Sequence, residues 1–236
     1  TKVILPVHMM GTAANMDAVM ALAKKYQLKV LEDTAQACGG TYNGKFLGTI
    51  GSIGAFSTDA GKTLSTGEGG MVLASDENLF TQVRALHDHG HEYSTSVGRG
   101  EEAALGWGFN YRMTELQGAI GLVQLSKLDY ILEKQRENKR KLKEAIDTSR
   151  FRFRNILNPE GDIADTLVIF LESAGQARKL VAGMKKQGLG TKNLPDAISW
   201  HFAAYWSHIF SEDGSSSVES LKSRWKQSTE WLERAV

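Results

Sequence analysis

Residues 2–33, KVILPVHMMGTAANMDAVMALAKKYQLKVLED, carry the pattern of a strand, a helix and a second strand. Between the two apolar runs, four apolar residues recur at helical spacing: Met16, Val19, Met20 and Ala23. Asn15 precedes them as the predicted N-cap of the helix. A strand, a helix and a strand in about thirty residues form a βαβ unit. The stretch therefore predicts parallel strands in an α/β fold.

Further strands and helices follow in the first half of the chain. Residues 51–58 and 69–75 are predicted strands, which suggest a second βαβ-like pass. Asp76 is the predicted cap of a helix that ends near Gly90. Glycine and charged residues predict a loop over 91–108.

The second half of the chain has the pattern of a smaller α/β unit. Apolar residues recur from Tyr111 to about residue 148 at spacings that predict one long helix. Beyond it, the pattern predicts a strand and two helices, at 166–173, 174–190 and 223–236. We therefore predict a domain over 1–125 and a smaller domain over 126–236, and the long helix connects the first to the second.

Composition excludes several classes of protein. The 236 residues are 42% hydrophobic and 23% charged, with a net charge of +1, so there is no strong field to recruit nucleic acid or an anionic membrane. The apolar runs are all shorter than the roughly 18–20 residues of a membrane span. A single cysteine, Cys38, cannot form an intramolecular disulfide. These features predict a cytoplasmic protein.

The stretch AFSTDAGKTLSTGEGGMVL, residues 55–73, surrounds Lys62 with small and hydroxyl residues. Although it contains Gly-Lys-Thr, a phosphate-binding P-loop needs a glycine five positions before Gly61, where Phe56 stands. The P-loop interpretation therefore fails on spacing. An ordinary surface lysine is the other alternative.

Three neighbouring features favour a functional lysine. Asp33 ends a predicted parallel strand, where open α/β sheets place ligand groups, although a turn cap stays an alternative. Ser57 and Thr58 end the next strand and can donate to a phosphate. Glycines at 67, 69 and 70 allow a close approach of the backbone. A lysine, an acid and phosphate donors together suit pyridoxal 5′-phosphate (PLP).

Three stretches, 6–40, 56–72 and 108–125, resemble the DegT/DnrJ/EryC1/StrS sugar aminotransferases. The resemblance runs from about residue 2 to 145. It implies the aspartate-aminotransferase-like PLP fold type I. It also implies a large domain truncated at its N-terminus, a smaller C-terminal α/β domain, and a homodimer with active sites shared across the interface.

The resemblance implies a role for each matching residue. Lys62 would form the imine with PLP, and Asp33 would pair with the pyridine nitrogen. Gln36 would lie near the cofactor ring, and Ser57 would contact the phosphate. Asn110 would reach the phosphate of the partner subunit's cofactor.

Two further residues are candidates for substrate contacts. Arg112 would bind the carboxylate of the amino donor, or it forms a salt bridge at the helix start. His201 would face the sugar, or it is an ordinary half-buried histidine. His87, His89 and His91 alternate like metal ligands, but they lie at a helix end, so loop structure or sugar contact is expected and no metal is predicted.

The implied activity is transfer of an amino group from glutamate to a keto- or aldehydo-sugar for cell-surface polysaccharide or lipopolysaccharide. Segments 87–102 and 199–210 are most similar to the branch that forms 8-amino-3,8-dideoxy-octulosonate. Thr58, Asp59 and Ala60 stand where the family has an aromatic residue and His-Pro. The expected truncation leaves a second hypothesis, a non-catalytic relative that acts as a regulatory or interaction module.

Overall fold

The computed structural model describes residues 1–98, 100–147, 149, 151–191, 201–210 and 217–236. Its strands are β1 (Val3–Ile4), β2 (Lys29–Asp33), β3 (Thr41–Tyr42), β4 (Lys45–Phe46), β5 (Ile53–Ser57), β6 (Gly70–Ala74), β7 (Arg152–Phe153) and β8 (Ile169–Phe170). Its α-helices are α1 (Met16–Tyr26), α2 (Glu77–His87), α3 (Glu115–Leu125), α4 (Leu128–Ala145), α5 (Ala174–Lys186), α6 (Ser207–Phe210), α7 (Val218–Arg224) and α8 (Lys226–Glu233). Short 3-10 turns lie at Met9–Gly11, Pro159–Gly161 and Ala203–Tyr205.

Four strands form the main sheet in the order β1-β2-β5-β6. β1, β2 and β5 are parallel, and Asp33 lies opposite Ala55 in the register of β2 and β5. β6 runs antiparallel to β5 and places Gly70 opposite Ser57. The carboxyl ends of β2 and β5 therefore meet at one edge of the sheet.

The first βαβ unit forms as the sequence predicts. The Asn15 side chain caps α1 by accepting from the Ala18 N–H at 3.1 Å. Met16 and Ala23 of α1 are buried with Val30 of β2 in one apolar cluster. Full burial of a side chain such as that of Met16 contributes about 2 kcal/mol.

The predicted second βαβ pass is wrong. Residues 34–52, all of which the structure describes, connect β2 to β5 through turns and the β3–β4 hairpin, without a helix. The hairpin packs into the core through Tyr42, whose hydroxyl donates to Asp17 Oδ2 at 3.0 Å. This tie to α1 holds the connection on the sheet where a helix was expected.

The single long helix predicted from Tyr111 is also wrong, because two helices, α3 and α4, occupy that segment. Tyr111 instead lies beside the C-terminal end of α2, where its N–H donates to His87 O at 2.8 Å. Thr114 and Gln117 then form a capping box that starts α3. This reciprocal bonding satisfies the first free N–H groups of the helix, so the helix begins there.

Two compact units can be distinguished. The first comprises Thr1–Lys143 and Ile156–Thr166, so it includes most of α4. Within it, Lys139 Nζ bonds the buried Asp162 Oδ2 at 2.5 Å. The division at residue 125 that the sequence suggests stays a prediction.

The second unit comprises Glu144–Asn155 and Leu167–Val236. Its core contains Ile169, Leu171 and Ala177. The helix predicted at 223–236 is wrong in its bounds, since α7 ends and α8 begins on either side of Trp225. Among the described residues of the whole chain, no helix combines the length and the apolar character needed to cross a bilayer.

Candidate active site

Asp33 ends β2 at the sheet edge and is held there by its backbone. Its N–H donates to Pro6 O at 2.9 Å, and its carbonyl accepts from the His8 N–H at 3.0 Å. Its side chain is half-buried, and Oδ1 accepts from the Ala35 N–H at 3.1 Å. The carboxylate is therefore fixed in direction at the point where the strand ends.

Gln36 lies in the turn that follows β2. Its Oε1 accepts from the Met10 N–H at 2.9 Å, which joins this turn to the segment after β1. Met10 has φ 55°, a left-handed conformation that turns its N–H towards the amide. Gln36 therefore lies three residues after Asp33, in the turn that leaves the same edge of the sheet.

Ser57 ends β5, the strand next to β2. Since Ala55 lies opposite Asp33, Ser57 lies two residues farther on, about 7 Å along the strand. Its Oγ accepts from the Asp59 N–H at 3.3 Å. Asp33, Gln36 and Ser57 are therefore brought to one edge of the sheet, and their roles stay predictions.

Lys62 lies in a loop that leaves this edge after β5 and returns to β6. The base of the loop is closed by Thr66 N–H, which donates to Thr58 O at 2.9 Å, and by Thr58 N–H, which donates to Gly69 O at 2.9 Å. The loop therefore begins and ends beside Ser57.

The Lys62 side chain is only 22% exposed, and its Nζ lies 3.7 Å from Asp59 Oδ2. The Gly61 N–H donates to Asp59 Oδ1 at 2.6 Å. This backbone bond lowers the pKa of the Asp59 carboxyl most; burial opposes it and the charge of Lys62 adds to it, so the net pKa lies below its usual value. The amine therefore has an anion as its neighbour in the loop.

Asn110 and Arg112 lie in space beside the C-terminal end of α2. Asp88 and Asn110 form an antiparallel bridge, and Arg112 Nε donates to Asn110 Oδ1 at 3.0 Å. Arg112 Nε also lies 3.4 Å from Oδ1 of the buried Asp88. The salt-bridge alternative considered for Arg112 is thus present, while both residues keep exposed surface.

This segment is joined to the Lys62 loop through the start of α3. Gln117 Nε2 donates to Glu68 O at 2.7 Å, in the glycine-rich turn before β6. The Met113 methyl lies 3.7 Å from the position that a Cβ would take on Gly69. The segment of Asn110 and Arg112 therefore leads directly to the glycine-rich turn that follows Lys62.

His201 is exposed and belongs to the second compact unit. It lies next to residues 192–200, which are outside the described part of the chain. Its predicted contact with a sugar stays a prediction.

Sequence reasoning missed a buried pair, Glu32 and His8, directly behind the candidate site. Both side chains are fully buried, and Glu32 Oε2 lies 3.0 Å from His8 Nε2. Burial raises the pKa of Glu32, but hydrogen bonds from His8 and from backbone N–H groups outweigh it, so the net pKa lies below its usual value. Glu32 is thus a buried carboxylate whose negative charge is stabilised by hydrogen bonds from the protein. A charged residue two positions after Val30, on the same strand face, was the available signal.

A second cluster of titratable groups lies in the loop after α2. Ligand atoms of Asp88, His89 and His91 lie within 4.8 Å of one another, so the three residues could hold a metal ion. Asp88 also accepts from the Tyr93 hydroxyl at 2.7 Å. The Arg112 guanidinium near Asp88 Oδ1 competes with a cation for that oxygen, which disfavours a metal.

Comparisons with known proteins agree with this architecture. The chain is 40% identical over 133 residues to the GDP-perosamine synthase of Caulobacter vibrioides, covering 55% of this chain and 33% of that protein. It is 41% identical over 137 residues to the spore coat polysaccharide biosynthesis protein SpsC of Bacillus subtilis, covering 58% and 36%. The chain thus spans about a third of the length of these relatives.

The solved structure of PseC from Helicobacter pylori, an aminotransferase involved in the biosynthesis of pseudoaminic acid, has the same fold. It superposes with a TM-score of 0.77 at 23% identity and covers all of this chain and 60% of PseC. The predicted fold class, PLP fold type I, is confirmed. The sequence profile of one protein family matches residues 1–224 of this chain. This chain belongs to the DegT/DnrJ/EryC1/StrS aminotransferase family.

Proposed function

We propose that this chain forms the cofactor-binding part of a PLP-dependent aminotransferase that moves an amino group from glutamate to a keto- or aldehydo-sugar. One observation carries the proposal. Asp33 and Ser57 end neighbouring parallel strands at one edge of the sheet, and the closed loop of Lys62 begins at that edge. A carboxylate, a hydroxyl and an amine at a single edge are the groups that PLP needs.

The residues at the edge fit the cofactor in chemistry. The Asp33 carboxylate, oriented by the Ala35 N–H, would face the pyridine nitrogen and keep it protonated, because an adjacent anion favours the charged form. Gln36, held by Met10, would lie beside the ring. The Ser57 hydroxyl would donate to the phosphate.

Lys62 would hold PLP covalently through Nζ and would then move a proton from the substrate carbon. Its ion pair with Asp59 is long, at 3.7 Å, and the Asp59 side chain is 42% exposed; such pairs are weak, so the amine can be released. Bound PLP supplies an aromatic ring that accepts electrons from that carbon. The loop closed by Thr58 and Thr66 keeps the amine near the strand ends.

The sugar acceptor is supported by the names of the relatives. A GDP-perosamine synthase and a spore coat polysaccharide protein favour a sugar destined for a cell-surface polysaccharide. Glutamate as donor rests on the resemblance alone. Arg112 as a contact for the donor carboxylate, His201 as a sugar contact, the octulosonate branch and a cytoplasmic location all stay parts of this proposal.

We also propose a homodimer with shared active sites, as the resemblance implies for Asn110. Support comes from α3, an apolar-rich helix with no buried residue among its eleven. Its exposed apolar side chains are Leu116, Ile120, Leu122, Val123 and Leu125. A face of this kind favours association. Sedimentation velocity of the purified chain should show a dimer, and Leu122→Glu should give monomers; a monomeric wild type would contradict the dimer.

The cofactor proposal is tested by trapping the amine. The chain incubated with PLP should gain an absorbance band near about 410–430 nm that borohydride removes. Mass analysis of the reduced protein should place one adduct on the peptide that carries Lys62. Lys62→Ala should lose both signals, whereas Lys45→Ala, at an exposed lysine of β4, should keep them. An unmodified Lys62 in the wild type would refute the proposal.

The acceptor is tested by a panel of keto- and aldehydo-sugars, free and nucleotide-linked, with glutamate as donor. Formation of 2-oxoglutarate that depends on both the sugar and Lys62 is the expected result. A trapped Lys62 adduct without transfer to any sugar would keep the cofactor site and refute the sugar acceptor.

A further inference from the structure

A single buried carboxylate joins three segments of the first unit. Glu32 Oε2 lies 3.0 Å from His8 Nε2 and accepts from the Gly48 N–H at 2.9 Å. Glu32 Oε1 accepts from the Ile50 N–H at 2.8 Å and from the Gly51 N–H at 2.6 Å. Both oxygens therefore act only as acceptors, and each serves two donors.

His8 completes the arrangement from the other side. Its Nδ1 accepts from the Ala14 N–H at 3.1 Å, so that nitrogen carries no proton. Its Nε2 must then carry the proton and donate it to Glu32. His8 is thus a neutral imidazole with a fixed tautomer, and it holds the segment between β1 and α1 against β2.

These bonds lie behind the proposed cofactor site and not in it. Neighbouring side chains of a strand point to opposite faces, so Glu32 points away from the face that Asp33 presents. Both Glu32 and His8 have 0% exposure, which leaves no surface for a ligand. Their effect on a ligand must therefore pass through the backbone.

The bonds act separately on three of the proposed cofactor contacts, Asp33, Ser57 and Gln36. Glu32 precedes Asp33 in β2, and the His8 N–H holds the Asp33 carbonyl at 3.0 Å. Gly51, bonded to Glu32, lies two residues before β5, which ends at Ser57. Met10, whose N–H orients Gln36, lies between the His8 and Ala14 anchors.

We propose that Glu32 and His8 are positioning residues, which hold the cofactor-binding edge of the sheet in register without touching cofactor or substrate. The proposal rests on the function proposed above. It requires a carboxylate at position 32, because an amide of the same shape presents an NH₂ group to two of the four donors. It equally requires the neutral tautomer of His8.

The main test compares the wild type with Glu32→Gln at a temperature where circular dichroism shows both to be folded. We expect PLP to bind at least about tenfold more weakly to the variant, since two buried donors lose their acceptor. The absorbance of the bound cofactor changes with pH, and the midpoint of that titration should also shift in the variant, because Asp33 no longer faces the ring nitrogen in the same way. Stability alone would not move that midpoint in a folded protein.

A milder variant, His8→Asn, keeps an acceptor for Ala14 and the three backbone bonds to Glu32 but removes the Nε2–H that donates to Glu32, which the shorter amide does not reach. His8→Asn should show smaller losses in PLP affinity and a smaller shift of the midpoint. The double variant should bind PLP as tightly as Glu32→Gln alone, because the two residues act as one unit. If Glu32→Gln does not fold, His8→Asn alone decides. Hydrogen exchange of segment 47–51 should rise in Glu32→Gln, and less in His8→Asn, which keeps the three backbone bonds.

The matched control is Tyr42→Phe, which removes a partly buried hydrogen bond to Asp17 in the same unit but outside this network. It should bind PLP as the wild type does. A Glu32→Gln or His8→Asn protein with wild-type affinity and midpoint would overturn the positioning role, as would equal losses in Tyr42→Phe. A wild type with no Lys62 adduct would instead refute the proposed function, so the two failures are distinct.

Discussion

The hydroxyls of Thr58 and Thr66 lie 2.8 Å apart at the base of the loop that carries Lys62. Thr66 Oγ1 also donates to Glu68 O at 2.8 Å, so Thr58 must donate to Thr66. Both threonines are buried. A short chain of hydroxyl bonds thus fixes the point where this loop leaves the sheet.

Replacing Thr58 with valine, a side chain of nearly the same shape without the hydroxyl, should loosen this loop. The variant leaves Thr66 without its donor, and a lost buried hydrogen bond of this kind costs about 1–2 kcal/mol of unfolding free energy. Urea unfolding should show that loss, and limited proteolysis should become faster between residues 59 and 65. Thr63→Val makes the same change within the loop and should leave both measurements near the wild type. Equal cleavage of the two variants would contradict the role of the hydroxyl pair.

Asp33→Asn should separate cofactor binding from catalysis. The amide can still accept from the Ala35 N–H, but it carries no charge to hold the pyridine nitrogen protonated. We expect kcat to fall at least tenfold, about the effect of one pKa unit, with a smaller loss of bound PLP. Turnover should be measured together with PLP stoichiometry. Asp76→Asn, which keeps a good N-cap for α2, is the control; a variant Asp33→Asn with normal kcat would exclude the carboxylate from this role.

The buried carboxylate of Glu32 should make stability depend on acid. Its folded-state pKa is below the ordinary value of 4.5, so its contribution is fully present above about pH 4.5 and is lost as the pH falls through the folded-state pKa. The difference in unfolding free energy between the wild type and Glu32→Gln should therefore shrink as the pH falls below about 4.5. Urea unfolding over a pH series measures it. A difference that stays constant through this range would show that the carboxylate does not titrate with folding.

Gly54→Ala should be strongly destabilising. A Cβ on Gly54 of β5 would lie 2.0 Å from the carbonyl oxygen of Gly48, and neither backbone can rotate away. We expect a loss of about 3 kcal/mol, the upper range for overpacking. Gly183→Ala, in α5 with no atom within 4 Å of the added methyl, should instead stabilise by up to about 1 kcal/mol. Thermal unfolding of both variants tests this, and similar melting temperatures would contradict the close approach.

Local signals in the sequence predict the first βαβ unit well. The Asn15 cap, the helical spacing in α1 and the ends of β2 and β5 depend on neighbouring residues, and the structure confirms them. Glu115–Leu125 also carried a local signal, since Thr114 and Gln117 have capping-box spacing. The apolar residues continue at helical spacing across the break between α3 and α4, so the spacing predicts one helix and does not show where the first ends.

The network behind the site could not be predicted in the same way. Glu32 could be suspected from its position on the buried face of β2, but His8 lies 24 residues away and Gly48 another 16 in the other direction. Such partners become neighbours only when the sheet assembles. The same reason explains Asp88 and Arg112, whose contact depends on how the loop after α2 returns to it.

β6 has a consequence for handling this protein. In the part of the chain that the structure describes, it is an outer strand of the main sheet, and Met71, Val72 and Leu73 are 44–48% exposed. It carries no charge and no proline that would discourage strands of other molecules from adding to it. Heating should therefore produce insoluble aggregates, with an apparent melting temperature that rises with scan rate. Lysine in place of Val72 should keep the heated protein in solution.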